Sequence, residues 1–316
     1  MNVPRPALLL LALALAGCPD GRPGRATSGR LPGPDGGPEA AAPPAGEATA
    51  ARPRVVTSSP ALAEVVCALG GLPHLAGVSR YCVHPPELQA LPRIGGAIDP
   101  NLEAIDALAP DLILVQGSDE RLLEVVEGRG YRLEVFQVET VAQALAAILR
   151  VGALLGREEA ARAEVDRLEL ALARARAAAP SRRPRTLVVF GHRAGDLAQV
   201  SAPGAATFVA DCLRAAGADS CLRDLPGGAW HVLSLEAVLE RQPELIIELA
   251  TEPVDAATAA ELRADWAILS DVPAVREGRI AIVSGSEVLI PGPRLDRLVG
   301  KLARAVGGER DVSDPR

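Results

Sequence analysis

The sequence predicts an α/β protein with two lobes, each built on a parallel sheet, joined by one long helix. Three observations carry this. The chain repeats itself: residues 101–114 read NLEAIDALAPDLIL and residues 234–247 read SLEAVLERQPELII, with six of fourteen positions identical and four conservative. Short apolar runs alternate with helical patterns around each copy, which implies parallel strands with helices crossing between them. One uninterrupted helical stretch, GREEAARAEVDRLELALARARAAAP, separates the copies. At 316 residues, two Rossmann-like lobes also fit better than a single core.

The first lobe, residues 54–155, opens with strand Arg54–Thr57, helix Ala61–Leu69 and strand Leu75–Val78. In each repeat an N-cap residue, Asn101 or Ser234, offers a side-chain oxygen to free helix amides. A two-turn helix follows, and Pro110 or Pro243 stops it. The apolar runs Leu112–Val115 and Leu245–Leu249 then read as buried parallel strands. Helix Asp119–Gly128, strand Arg132–Val135 and helix Val141–Leu155 complete the lobe. In the connector, residues 156–180, acidic residues come early, arginines late, and Pro180 ends the run, as the helix dipole favours. Ala161, Val165, Leu168 and Leu172 share one face. About twenty-two residues at about 1.5 Å rise give a rod of roughly 33 Å. The second lobe, residues 181–308, runs through strand Thr186–Phe190, helix Ala205–Ala216, the second repeat, strand Ile280–Val283 and helix Leu295–Val306. A polar tail, 309–316, closes the chain.

Residues 1–18 read as an export signal. Arg5 precedes an apolar run, Ala7–Gly17, of about eleven residues, too short for a membrane span of about twenty. It ends in Leu15-Ala16-Gly17-Cys18, which resembles a bacterial lipobox with Cys18 as the acylated residue. Residues 19–53, rich in Gly, Pro and Ala, cannot bury enough surface to fold and read as a tether. The body is therefore expected to be exported, lipid-anchored and monomeric. In an oxidising compartment Cys67, Cys82, Cys212 and Cys221 allow two local disulfides, Cys67 with Cys82 and Cys212 with Cys221; four buried free thiols remain the alternative.

Composition narrows the function. With 33 basic and 40 acidic residues the net charge is −7, which argues against nucleic-acid binding. Only seven rings occur, so a ring at a ligand site is informative: Phe136, Phe190 and Phe208 fall in core elements, Tyr81 and Trp230 in loops, and Tyr131 and Trp266 have no evident role. His84, His192 and His231 also fall on loops, where imidazole could ligate cobalt or iron or simply hydrogen-bond, and His74 on a surface turn.

The string VVTSSPALAEVVCALGGLPHLAGVSRYCVHPPELQALPRIGGAIDPNLEAIDALAPDLILV resembles the first lobe of the helical-backbone substrate-binding proteins of ABC importers for cobalamin, ferric siderophores and heme. The likeness runs on through the connector to Pro291–Leu295, and SRYCVHPP and CALG look most like cobalamin-binding members. The resemblance implies a ligand cleft between the lobes, little closure on binding, and no catalysis. It implies that Tyr81 and Trp230 lie against a corrin ring, which rigid aromatic surfaces suit. Ala97 and Gln116 stand where cobalamin receptors carry tryptophans, and His84-Pro85 where heme receptors carry a tyrosine before proline. Ser59, at a strand-to-helix turn, His192, His231 and Ser286 complete the implied ligand set. Glu103 and Glu236, equivalent positions in the repeats, are implied to meet arginines on the permease; a helix dipole would favour them there in any case. No bound cofactor is expected; the cargo would be a cobalt- or iron-containing chelate. Two alternatives stand beside the corrinoid. A receptor of the same fold could take a ferric siderophore, with Arg80, Arg193 and Arg294 against its anionic groups, or heme at His84-Pro85, and an exported metal-dependent hydrolase could use His192 and His231 with Asp or Glu partners.

Overall fold

The computed structural model describes residues 52–96, 99–117, 126, 128–225 and 230–313. The expected signal segment with Cys18, the tether up to residue 51, Ala97 and most of the expected helix 119–128 lie outside the described residues.

The first lobe comprises β1 (Val55–Thr57), α1 (Pro60–Ala68), β2 (Leu75–Val78), α2 (Leu102–Leu108), β3 (Leu112–Gln116), β4 (Leu133–Phe136) and α3 (Val141–Leu155). Its sheet has the order β2-β1-β3-β4 with every pair parallel. The runs VVT and LILV are buried throughout, as a parallel sheet covered on both faces requires. α1 begins on Ser59, whose Oγ accepts from the Leu62 amide at 3.3 Å, with Pro60 where no amide is needed. α3 opens with a reciprocal cap between Thr140 and Gln143 and closes on Gly156 at φ +63°.

The connector is α4 (Glu158–Ala178), with Ala161, Leu168 and Leu172 buried and Val165 half-buried, the face its spacing predicts. A Cβ on Gly152 would collide with the Ala161 side chain, so a glycine lets α3 and α4 approach. α4 holds α3 on one side and, on the other, two second-lobe helices, α5 (Phe208–Ala215) and α9 (Leu295–Val306).

The second lobe also contains β5 (Arg185–Phe190), β6 (Gln199–Pro203), β7 (Asp219–Ser220), β8 (Trp230–Ser234), α6 (Leu235–Arg241), β9 (Leu245–Ala250), α7 (Ala256–Asp265), α8 (Pro273–Arg276), β10 (Ile280–Ser284) and β11 (Asp311–Val312). The strand order is β11-β10-β9-β5-β6-β8, with β7 also beside β5. Here the expected parallel sheet is mixed. β6 runs antiparallel to β5, and β8 antiparallel to β6. Both are short, and neither QVSAP, which lies between β5 and β8, nor WHVLS, the half-exposed edge strand, has the continuous apolar run that marks a buried parallel strand.

The repeat is structural as well as sequential. Asn101 Oδ1 accepts from the Ala104 amide at 3.0 Å, and Ser234 Oγ from the Ala237 amide at 3.3 Å. Each seven-residue helix ends on a left-handed residue, Ala109 at φ 42° and Gln242 at φ 45°. The proline that follows leads into β3 or β9. Thus the residue before each proline leaves the helix by the left-handed region, where a non-glycine side chain is strained.

The lobes share their core: Leu62, Leu168, Val209 and Leu298 belong to one hydrophobic cluster. Polar ties reinforce it. The Phe208 amide donates to the Glu139 carbonyl at 2.6 Å, and Arg167 binds Asp296 and the Pro293 carbonyl, both at 2.6 Å. The described cysteines are all free, which corrects the expected bridges. Cys212 and Cys221 are buried in different core clusters and are not bonded to each other. Burial pushes the Cys67 and Cys82 thiols up to about 12, and neither is bonded. No described helix is long and apolar enough to cross a membrane.

Candidate functional site: the cleft between the lobes

The carboxyl ends of the two sheets meet at the seam, the place where open α/β sheets bind ligands. α1 leaves the end of β1, and the loop carrying Ser286 and Arg294 leaves the end of β10. Arg294 grips Glu64 on α1 through two nitrogens, at 2.8 and 2.5 Å, and both side chains are buried. Its remaining donors reach Ser286 Oγ at 2.7 Å and Glu287 at 3.3 Å, and Glu287 also holds the chain's single lysine, Lys301. Burial pushes the Glu64 carboxyl above its ordinary range, while the hydrogen bond and charge of Arg294 oppose that. A buried bidentate pair of this kind fixes geometry more than it adds net stability. The sequence hides it, since its partners lie 230 positions apart. Its one trace is a glutamate inside the apolar helix PALAEVVCA.

Around this seam the expected ligand residues separate. Tyr81 is exposed on the turn after β2, with the Arg80 guanidinium 5.8 Å from its ring centre and Arg80 in turn paired with Asp99. Trp230 is also exposed, but it stands on β8 instead of a loop. Phe190, expected in the core, is half-buried and backs it at 6.2 Å with the rings tilted 56°. Ser59 and Gln116 come together, Ser59 Oγ donating to Gln116 Oε1 at 2.6 Å beside the end of β3. Ser59 is buried and Gln116 half-buried, so the amide is the group nearer solvent. His84 is half-buried over a cavity of about 220 Å³ lined by Glu64, Cys67, Pro293 and Arg294. Burial, then the charges of Arg294 and Arg297, lower its pKa. Ser286 is occupied by Arg294.

Two histidines face elsewhere. His192 has a fully buried side chain, with Nδ1 3.1 Å from Glu248 and Nε2 3.1 Å from Asp265. Burial alone would lower its pKa, but the bonds and charges of the two carboxylates prevail and raise it. The Trp266 indole packs edge-on at 6.2 Å and donates to Glu248, and the Gly195 amide donates to Asp265 at 2.6 Å. His192 therefore pins the loop after β5 and has no nitrogen left for a cleft ligand. His231 neighbours Trp230 on one strand, so their side chains point to opposite faces. Its Nε2 is buried without a partner, on the face where Leu233 and Ala202 join the core. His74, expected at the surface, is buried, with Nδ1 3.3 Å from the Pro53 carbonyl.

Glu103 and Glu236 are both exposed in the first turns of α2 and α6. The Glu236 carboxyl is held below its ordinary value by its own amide and the Ser234 hydroxyl. A larger depression, about 500 Å³, is lined by Val141, Leu172, Arg176 and Arg214 of α3, α4 and α5 and includes neither exposed ring. Among the described residues no cluster of three or more His, Cys, Asp or Glu is arranged to hold a metal.

One parallel and one mixed α/β sheet meeting at their carboxyl ends, braced by one long helix, define a two-lobed solute-binding protein. The chain belongs to the periplasmic binding protein family, whose sequence model matches residues 55–285. It is 26% identical over 262 residues to the cobalamin-binding protein of Halobacterium salinarum, covering 80% of this chain and 69% of that one. The vitamin B12-binding protein of Salmonella typhimurium is 30% identical over 203 residues, 62% of this chain and 72% of the relative. Among solved structures, the periplasmic heme-binding protein RhuT from Roseiflexus sp. RS-1 superposes with a TM-score of 0.67 at 26% identity, covering 80% of this chain and 97% of that one. The chain is thus a periplasmic binding protein of the cobalamin, heme and siderophore type, and these relatives are binding proteins, not enzymes.

Proposed function

We propose that the chain captures a corrinoid, or a closely related flat metal chelate, between its lobes and delivers it to an ABC importer permease. The observation that carries this reading is the placement of Tyr81 and Trp230. They are exposed rings, one from each lobe, in a chain with only seven rings: Tyr81 follows the carboxyl end of β2, and Trp230 begins the outer strand β8, two positions in from the level of Phe190 at the end of β5. An exposed aromatic costs solvation unless something flat covers it, and a macrocycle needs such surfaces on both sides. Gln116 and His84 supply polar contacts at the cleft floor. The curated relatives named for cobalamin or vitamin B12 support the corrinoid, and the heme-binding neighbours support heme as the second reading. A siderophore is less well served: Arg294 is spent on Glu64 and Ser286, and Arg80 on Asp99.

The lobes are proposed at residues 54–155 and 181–308 around the connector at 156–180, with a monomeric body held to the membrane by lipid on Cys18 and exported by residues 1–18. Glu103 and Glu236 are proposed as the permease contacts, one per lobe, setting docking register by charge. Absorbance titration of the purified chain with cyanocobalamin, heme and ferric siderophores tests the reading. Stoichiometric binding of a macrocycle is expected, and no binding to any macrocycle at micromolar concentration contradicts it. In cells, Glu103→Gln with Glu236→Gln should abolish uptake while leaving ligand affinity unchanged.

A further inference from the structure

Tyr81-Cys82-Val83 and Trp230-His231-Val232 share one pattern: an exposed ring, an inward residue, an exposed valine. Tyr81 is 59% and Val83 49% exposed, with Cys82 at 0% between them; Trp230 is 43% and Val232 68% exposed, with the buried Nε2 of His231 between them. On β8, strand alternation enforces the pattern, because residues two apart share a face. At Tyr81 a tight turn does so, the Cys82 amide donating to the Ser79 carbonyl at 3.0 Å and carrying Cys82 into the core. The pairings Phe190 with Ser201 and Ser201 with Val232 place Val232 level with the last residue of β5, so it stands at the ligand end of the sheet. Tyr81 and Val83 follow the end of β2 in the same way.

A lone exposed valine needs no explanation. Two that each flank an exposed ring, in opposite lobes, with the middle residue turned inward, do. We infer that Val83 and Val232 are ligand contacts that widen each ring into an apolar jaw. The two jaws select a flat chelate whose rim carries alkyl groups over one wrapped in hydroxamate or catecholate oxygens. This rests on the cleft-binding reading above. Phe190 lies behind Trp230, its ring centre 6.2 Å from the indole's.

The test titrates the purified chain and four variants, Val83→Ser, Val232→Ser, the double variant and Ile268→Ser, with cyanocobalamin, heme and a ferric trihydroxamate. Ile268 is as exposed as Val232, at 70%, but lies on the turn after α7. Each single valine variant should weaken the bound macrocycle about fivefold and the double about twentyfold, with melting temperatures unchanged because the sites are exposed. Ile268→Ser should bind as wild type. Macrocycle binding by wild type with the double variant within twofold of it overturns this inference alone, as does an equal loss in Ile268→Ser. A wild-type chain that binds the trihydroxamate and neither macrocycle overturns the cleft-binding reading with it.

Discussion

In the first lobe the exposed ring, Tyr81, comes off a tight turn after a parallel strand; in the second, Trp230 stands on the outer strand of an antiparallel ribbon. The repeats behind them, by contrast, match cap for cap: Asn101 and Ser234 at the start, Ala109 and Gln242 left-handed at the end, β3 and β9 beyond. The two lobes therefore keep a common skeleton where Glu103 and Glu236 are exposed, and present the rings proposed as ligand surfaces by unrelated local devices. On the proposed assignment, equivalence between lobes finds the docking residues and does not find the binding residues.

The strongest way to break this picture is at the seam. Glu64→Ala removes the bidentate partner of buried Arg294 and leaves it only Glu287 and Ser286, which should cost about 3 kcal/mol. Although Glu64 belongs to the first lobe, the loss should be read equally by Trp266, deep in the second, in a urea titration. A Trp266 signal that melts at the wild-type midpoint would mean the lobes are energetically separate. The next test is confined to the second lobe. His192 is raised above the ordinary histidine value of 6.5 by Glu248 and Asp265, despite burial. A raised folded pKa stabilises fully below the unfolded value and the contribution fades as pH rises through the folded one. Stability should therefore decline with pH from about 6.5 upward, and His192→Gln should flatten that slope. The smallest effect sharpens the comparison itself. Ala109→Gly and Gln242→Gly each relieve left-handed strain at some cost in unfolded-state entropy, and each should stabilise by about 0.5 kcal/mol. Unequal gains in the two lobes would show that the repeats diverge at their C-caps.

Much of the fold was legible because its signals are local. Caps, prolines and continuous apolar runs placed the longer parallel strands, the repeat and α4 within a residue or two. β8 escapes the pattern because it is a half-exposed edge strand, β6 because QVSAP is short and reads as a loop, and β7 and β11 because two residues carry no strand signal; Val312 of β11 is buried in what reads as a polar tail. That miss carried over to the site: with β8 taken as a loop, Trp230 and His231 looked like neighbours in one cleft, whereas pleating turns them apart. His192 misled for a different reason. Its partners, Glu248 and Asp265, come from β9 and α7, and nothing local to GHRAGD announces two buried carboxylates. The Glu64–Arg294 tie is long-range in the same sense. Tyr81 and Trp230 could be singled out because the chain is so poor in rings.

The central claim is that one ligand covers both of those rings at once, and hydroxyl-radical footprinting of the purified chain with and without saturating cyanocobalamin or heme tests it most directly. Tyr81 and Trp230 should be protected together, while Trp266, already buried, should not change. Saturated binding that leaves either Tyr81 or Trp230 as reactive as in the free protein would contradict it.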